Sequence, residues 1–173
     1  MTELPERAER AFECHDAFER ADDEWFAVTT TAFDGRVTAA ETDEWALEYT
    51  LEVRAPMLST ATEGSVGDAV EEGWFDTYER RLEDAHMVVR EDVEFDTYRV
   101  FEEAGDAVSV FVFEHGNPDR AVDIAKAIAE FVEGTYMEGI VPGYQYRPPV
   151  SELLARARQA GDESERDRGP MPL

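Results

Sequence analysis

Apolar residues recur along the chain with two different periods, and each change of period marks a new element. Residues 3–20 carry an apolar side chain at every third or fourth position, which predicts an amphipathic helix. Residues 25–33 are β-branched and aromatic and predict a strand, while residues 44–54 alternate between apolar and polar side chains. That alternation is typical of an antiparallel strand with one buried and one solvated face. The aspartate–glycine pair before residues 36–41 predicts a tight hairpin turn.

The second half of the chain predicts another helix followed by a second hairpin. Residues 66–84 carry a helical apolar stripe, although the glycine inside it costs about 1 kcal/mol relative to alanine. Residues 88–101 and 106–114 predict two strands around an alanine–glycine turn. Because residues 108–113 are apolar on both faces, we expect this last strand to lie in the centre of the sheet.

The clearest helix of the chain begins after Asn117. The side chain of Asn117 can cap the helix, Pro118 suits its first turn, and Asp119 complements the positive end of the helix dipole. A long apolar stripe follows, and Gly139 is expected to end the helix. A short helix is predicted near residues 150–160.

Together these elements predict an α+β fold with an antiparallel sheet of about five strands packed against helices. Their order along the chain is α-β-β-β-α-β-β-α. Residues 1–160 are expected to form one domain, including a C-terminal segment that wraps back and the short helix. The polar residues 161–173 predict a disordered acidic tail.

The charge departs furthest from that of an ordinary globular protein. Forty-one acidic residues oppose sixteen basic ones, which gives a formal net charge of −25. Lys126 is the only lysine, beside fifteen arginines. Such a surface repels itself in dilute buffer, but at about 1 M salt the Debye length is only 3 Å and the repulsion is screened. The composition therefore predicts a halophilic protein with an acidic surface. An acidic protein that binds basic partners or cations would explain the charge but not the missing lysines.

The composition also disfavours several classes of protein. No basic stripe supports nucleic-acid binding, and no apolar run approaches the length of about 20 residues that crosses a bilayer. The first residues are charged and lack the apolar core of a signal peptide, so we expect a cytoplasmic protein without membrane contact. Cys14 is the only cysteine, so an intrachain disulfide is excluded.

No catalytic or metal-binding arrangement emerges from the residues. Cys14 and His15 are neighbours, but consecutive helical residues point about 100° apart and cannot act on each other. The three histidines do not share a metal-ligand spacing, and carboxylates are too abundant for any pair to be informative. We therefore predict no catalytic residue, no metal site and no cofactor.

Over residues 3–138 the order of elements resembles that of type III secretion chaperones and of the related YbjN-like family, small dimeric α/β proteins that bind other polypeptides. That resemblance implies a homodimer and a protein partner. Two stretches also resemble an uncharacterised domain family of halophilic archaea: AFDGRVTAAETDEWALEYT and FVEGTYMEGIVPGYQY. This second resemblance implies a source but no activity.

Residues 134–149 are the best candidate for a binding segment, because tyrosine, glycine and proline concentrate there. Tyrosine gives a large contact area at low entropic cost, which is typical of recognition surfaces. The candidate binding residues are Tyr136, Tyr144, Tyr146 and Arg147. The alternative, which the pattern favours, is that the segment wraps over the sheet and its rings fill gaps in the core.

These observations leave the biochemical function unknown. They favour a non-catalytic protein-interaction module, chaperone-like or adaptor-like, that forms a homodimer. The alternative is a small-ligand-binding protein or enzyme with a site between the sheet and the loop 134–149. A deep pocket with converging polar groups would favour the second class, and an apolar or aromatic patch would favour the first.

Overall fold

The structure, a computed structural model, describes residues 3–90 and 92–167. Its centre is a six-stranded antiparallel sheet built from these strands: β1 (Phe18–Arg20), β2 (Phe26–Val28), β3 (Asp34–Glu41), β4 (Leu47–Pro56), β6 (Thr97–Glu103) and β7 (Asp106–His115). Their order across the sheet is β1-β2-β3-β4-β7-β6. Two short strands, β5 (Thr62–Glu63) and β8 (Gln145–Tyr146), pair with each other outside this sheet.

The helices that the structure describes are α1 (Glu6–Glu13), α2 (Leu58–Ala61), α3 (Asp68–Leu82), α4 (Pro118–Glu138) and α5 (Val150–Asp167). A 3₁₀ helix, Glu83–Val88, continues directly from α3. None of the helices within the described ranges is both long enough and apolar enough to cross a membrane. The predicted α+β class is confirmed, with one more strand in the main sheet than expected.

The additional strand is β1, which the sequence pattern assigns to the first helix. The helix predicted over residues 3–20 ends at Glu13, and after a turn Phe18 pairs with Val28 of β2. Phe18 is buried and so also fits the apolar stripe of a longer helix. Because Phe18 pairs with a strand ten residues further along the chain, residues 18–20 form a strand and not the end of the predicted helix. Here the pairing between strands outweighs the local helical periodicity.

The alternation predicted for the strand at 44–54 is confirmed in β4. Five side chains on one face of β4 are buried, and those between them are only half-buried: Leu47, Tyr49, Leu51, Val53 and Ala55 form the buried set. Trp45 is an exception, because the strand begins only at Leu47 and its ring is 74% exposed. The Arg7 guanidinium lies 4.2 Å from the centre of that ring.

Helix α4 packs across β4 and β7 and carries the centre of the core. It begins as predicted: the Asn117 side chain accepts hydrogen bonds from the backbone N–H groups of Asp119 and Arg120 at 3.0 and 3.4 Å. It also ends as predicted at Gly139. Strand β7 has a neighbour on each side, as expected from its apolar run. In α3 the buried stripe starts later than expected, since Val70 is exposed.

The outer face of the sheet, which the long helices do not cover, is closed by its own charged side chains. Val108 and Val110 point to this face and are nevertheless buried. Arg54, opposite Val108, pairs with Glu52 at 3.0 Å and with Glu103 at 2.6 Å. Arginine stems cover apolar surface while the guanidinium stays solvated. The Glu103 carboxylate raises the pKa of Arg54.

The C-terminal helix is longer than the sequence predicts. A short helix was expected near residues 150–160, with a disordered tail at 161–173. Helix α5 runs from Val150 to Asp167, so residues 161–167 are helical. The remainder of that predicted tail, 168–173, lies outside the described residues.

Candidate functional site

The segment 134–149, for which the sequence predicts a binding role, closes one end of the fold. It leaves α4 and reaches β8, where Tyr146 lies opposite Thr62 of β5. The backbone N–H of Arg147 donates to the carbonyl of Ala61 at 2.7 Å. The segment is therefore held against α2 and β5 by backbone hydrogen bonds.

Tyr136 lies in the core and is 1% exposed. Its ring meets three aromatic rings edge to face, with centroids 4.7, 5.4 and 5.9 Å away: those of Phe33, Trp74 and Tyr78. Its hydroxyl donates to the carbonyl of Pro56 at 2.9 Å. Burial raises the pKa of Tyr136. This side chain therefore joins α4 to β4 and α3, and it presents almost no surface to a partner.

Tyr146 is half-buried and braces the loop that precedes it. Its hydroxyl donates to the carbonyl of Val141 at 2.6 Å and accepts from the backbone N–H of Val141 at 3.1 Å. Burial raises the pKa of Tyr146, and the Val141 amide offsets part of that rise. Tyr144 is half-buried and Arg147 is exposed.

The structure therefore does not bring the four predicted residues into one surface. Tyr136 is in the core, while Tyr144, Tyr146 and Arg147 lie near β8. A binding role for these last three residues stays a prediction. Two concave sites, one beside this segment and one between the 3₁₀ helix and α4, involve residues that the sequence analysis did not select.

The first of these sites, which we call the indole cavity, lies between α3 and the end of α4. Its volume is about 220 Å³. Six of the residues that line it are Trp74, Thr77 and Arg81 of α3 with Thr135, Glu138 and Gly139 at the end of α4. The sequence allowed a small-ligand site between the sheet and the loop 134–149; this cavity borders that loop, but its opposite wall is α3 and not the sheet.

Trp74 lines this cavity, and its indole N–H has no acceptor among the described residues. Trp74 is 6% exposed, and its Nε1 atom is buried with no hydrogen-bond partner among the described residues. Gly139, which also lines the cavity, lies beside this nitrogen: a Cβ atom built on Gly139 would be 3.8 Å from Nε1. A buried donor left unsatisfied costs about 1–3 kcal/mol, so this N–H requires an acceptor that the described residues do not supply.

Two opposite charges line the same cavity. Arg81 and Glu138 are exposed at its rim. Within residues 3–90 and 92–167, neither side chain forms an ion pair, and they do not pair with each other. The wall behind them is rigid, because the Trp74 ring stacks on Tyr78 with centroids 5.5 Å apart. The cavity thus combines a fixed N–H donor with one cation and one anion.

The second concave surface, which we call the cation groove, lies between the 3₁₀ helix and α4. It is wider, with a volume of about 770 Å³. Val88, Val89 and Arg90 form one wall, and α4 supplies Ile124 and Ala127 to the other.

Charged side chains of α4 complete the cation groove. Arg120 and Lys126 join Arg90 there, so three of the sixteen basic residues line one groove. Asp123 and Glu130 also line it, but each already has a basic neighbour. Asp123 Oδ1 lies 2.7 Å from Nε2 of His15, and Glu130 pairs with Lys126 at 2.9 Å.

Three carboxylates form a separate cluster on the outer face of the sheet. Oxygen atoms of Glu48, Asp96 and Glu114 all lie within 4.8 Å of one another. Their positions in the chain are far apart, which is why no spacing in the sequence reveals them. We call this cluster the acidic trio. Exposed carboxylates at this distance repel each other, and we assign the trio an electrostatic effect on stability.

Comparison with known proteins places the chain in a family. A model of a family of unknown function, DUF5813, matches residues 13–156. The chain belongs to this family. No curated protein and no solved structure matches it.

The DUF5813 match covers the whole main sheet, together with the indole cavity and the cation groove. Because the family has no assigned function, membership transfers no catalytic or binding role to any residue. The family relation confirms the expectation of an uncharacterised domain family. Roles for individual side chains therefore rest on the geometry of this chain.

Cys14 and His15 do not form a nucleophilic pair. Both ring nitrogens of His15 are engaged, since Nδ1 accepts from the backbone N–H of Ala17 at 3.1 Å and Nε2 contacts Asp123 at 2.7 Å. Activation of a thiol would require one of these nitrogens as the base. Cys14 is a free, exposed cysteine.

Proposed function

We propose that the chain is a non-catalytic protein-interaction module of a salt-rich cytoplasm. Its cation groove receives an acidic segment of a partner protein that also carries apolar side chains. The observation that carries this proposal is the exposure of Met87 and Val88, 71% and 40%, beside a groove lined by three basic residues.

The apolar contribution comes from consecutive residues. Four large apolar side chains within the described residues are exposed, and only Met87 and Val88 are neighbours in the chain. Trp45 is shielded on one ring face by Arg7. Burying a fully exposed apolar side chain stabilises a complex by about 1.5–3 kcal/mol. Met87 and Val88 are partly exposed, so each contributes a fraction of this binding free energy when a partner covers it.

The charge contribution follows from the contrast with the rest of the chain. The net charge is −25, so most of the surface repels an acidic partner. In the cation groove the basic residues outnumber the acidic ones, three to two. Partly buried ion pairs are screened much less by salt than exposed charges at longer range, so contacts inside the groove continue to select for acidic side chains.

The proposed environment rests on the distribution of acidic residues. No Asp or Glu within the described ranges is buried, and the chain has one lysine against fifteen arginines. A surface with this excess of negative charge is stable where concentrated salt screens the repulsion between the carboxylates. A cytoplasm with concentrated salt fits these two features together.

The test uses fluorescence anisotropy in molar KCl with two labelled synthetic peptides. One peptide alternates leucine with glutamate, and the other has glutamine in place of each glutamate. We expect the leucine–glutamate peptide to bind more tightly. The double variant Met87→Ser/Val88→Ser should weaken its binding by about tenfold, which corresponds to 1.4 kcal/mol. Val70→Ser, an exposed valine on α3 away from the groove, is the control and should bind normally.

Charge selection is tested with Lys126→Gln, which should reduce the preference for the glutamate peptide. Three results would overturn the proposal. The first is that neither peptide binds, and the second is that both bind equally well. The third is that light scattering shows a dimer whose dissociation follows from Met87→Ser/Val88→Ser, because the groove would then belong to a second copy of the chain.

A further inference from the structure

We propose that the indole cavity binds a small zwitterion of amino-acid size. Its carboxylate accepts hydrogen bonds from Nε1 of Trp74 and from Arg81, and its ammonium group lies against Glu138. This site is separate from the cation groove, and the inference does not depend on the protein-interaction role proposed above.

The Trp74 N–H requires an oxygen acceptor. Indole nitrogen is a donor only, so no rearrangement of hydrogens can satisfy it from its own side. Its burial without a described partner leaves a cost that a ligand oxygen removes. The space is also too large for one water molecule, since about 10–15 Å³ would suffice for that and the cavity has about 220 Å³.

The charges at the rim decide which kind of acceptor fits. Arg81 favours a carboxylate, and a guanidinium can bind both of its oxygens. Glu138 lines the same cavity and opposes a ligand that carries only negative charge. A ligand with a carboxylate and an ammonium group satisfies both side chains, whereas a simple anion or a simple cation satisfies one of them.

The size of the cavity limits the ligand to few atoms. Sites for drug-sized ligands occupy about 300–1,000 Å³, and the indole cavity is smaller than this range. The ring of Trp74 is fixed against Tyr78 and Tyr136. Because this wall is rigid in the folded chain, little ordering is needed when a ligand binds, and even a small ligand can show measurable affinity.

The experiment follows the indole N–H resonances of the ¹⁵N-labelled full chain in molar KCl. The chain has three tryptophans, so Trp25→Phe and Trp45→Phe assign the Trp74 resonance by elimination. Glycine is the zwitterionic probe, acetate carries only the carboxylate, and methylammonium carries only the ammonium group. We expect glycine to shift the Trp74 resonance saturably, acetate to bind at least tenfold more weakly, and methylammonium to leave that resonance unchanged.

Two variants separate the roles of the rim charges. Arg81→Met should weaken glycine binding about tenfold, and Arg80→Met, which changes the neighbouring exposed arginine outside the cavity, should have no effect. Glu138→Gln should remove the discrimination, so that acetate binds as well as glycine. The proposal is overturned if glycine leaves the Trp74 resonance unshifted, if acetate equals glycine in the unmodified chain, or if Arg80→Met and Arg81→Met weaken binding equally.

Discussion

Replacing Tyr146 by phenylalanine tests whether the segment 134–149 is a structural brace or a recognition surface. The change keeps the ring and removes the hydroxyl, which donates to the carbonyl of Val141 and accepts from its N–H. If the brace is structural, the free energy of unfolding falls. If Tyr146 acts only through its ring at a binding surface, the free energy of unfolding stays the same.

The magnitude follows from the two hydrogen bonds. Each contributes about 0.5–1.5 kcal/mol net, and Tyr146 is only half-buried, so water replaces part of the loss. We therefore expect a decrease in the free energy of unfolding of about 1–2 kcal/mol. For a chain of 173 residues this corresponds to a fall in Tm of roughly 2–8 °C.

The assay is a thermal melt by circular dichroism in molar KCl, supported by urea unfolding in the same salt. Tyr144→Phe is the matched control, because the Tyr144 hydroxyl forms no hydrogen bond within the described residues and its removal should leave Tm unchanged. A Tyr146→Phe melt that coincides with that of the unmodified chain would refute the structural assignment. Equal losses in both variants would also refute it, since the two described bonds belong to Tyr146 alone.

Three further predictions concern salt, buried hydroxyls and repulsion. Because the net charge is −25, Tm should rise steeply with KCl as the repulsion is screened. A melting midpoint that is the same in dilute buffer and in molar salt would contradict the interpretation that the protein is halophilic. Tyr49→Phe should raise the free energy of unfolding by about 1 kcal/mol, because the buried Tyr49 hydroxyl has no partner among the described residues. Tyr136→Phe should lower it by about 1 kcal/mol, because the hydrogen bond to the carbonyl of Pro56 is lost. Urea unfolding measures both changes, and changes of the same sign would contradict this prediction. Glu114→Gln relieves the acidic trio and should raise stability by about 1 kcal/mol in the lowest salt that sustains folding, and much less in molar KCl. Glu19→Gln, which changes an exposed carboxylate on β1 outside the trio, should give a smaller change in the same melts.

The parts of the fold that the sequence predicts correctly are those whose causes are local. Helix α4 has its cap, its first-turn proline and its terminal glycine within its own residues, and β4 alternates strictly over its length. Strand β1 has three residues, and its existence depends on the pairing of Phe18 with Val28, which no local pattern announces. The position of Trp45 depends on where β4 begins, and strand boundaries are set by partners across the sheet.

The candidate sites, too, could be predicted from the sequence only where their causes are local. Tyr136 could have been assigned to the core from the sequence, since it lies four residues after buried Val132 and eight after buried Ile128 on the stripe of α4. The indole cavity could not, because it forms where Trp74 of α3 meets Gly139, sixty-five residues later. The sequence predicts both helices but not the crossing that brings these two residues together.

Both sides of the sheet leave some polar groups unsatisfied, but only the α3–α4 side combines such a group with exposed neighbouring apolar residues among the residues that the structure describes. On the outer face Val108 and Val110 are buried, and Arg54 pairs with the carboxylates of Glu52 and Glu103. On the helical side, the Trp74 N–H has no acceptor and Arg81 and Glu138 form no ion pair among the residues that the structure describes, and Met87 and Val88 are exposed. Both sites lie along α4 and along α3 with its 3₁₀ continuation, so the same two helices position the indole cavity and the cation groove. Exposed apolar surface and unpaired buried donors lower stability unless something binds them, and the α3–α4 side is therefore where a ligand or partner gains most.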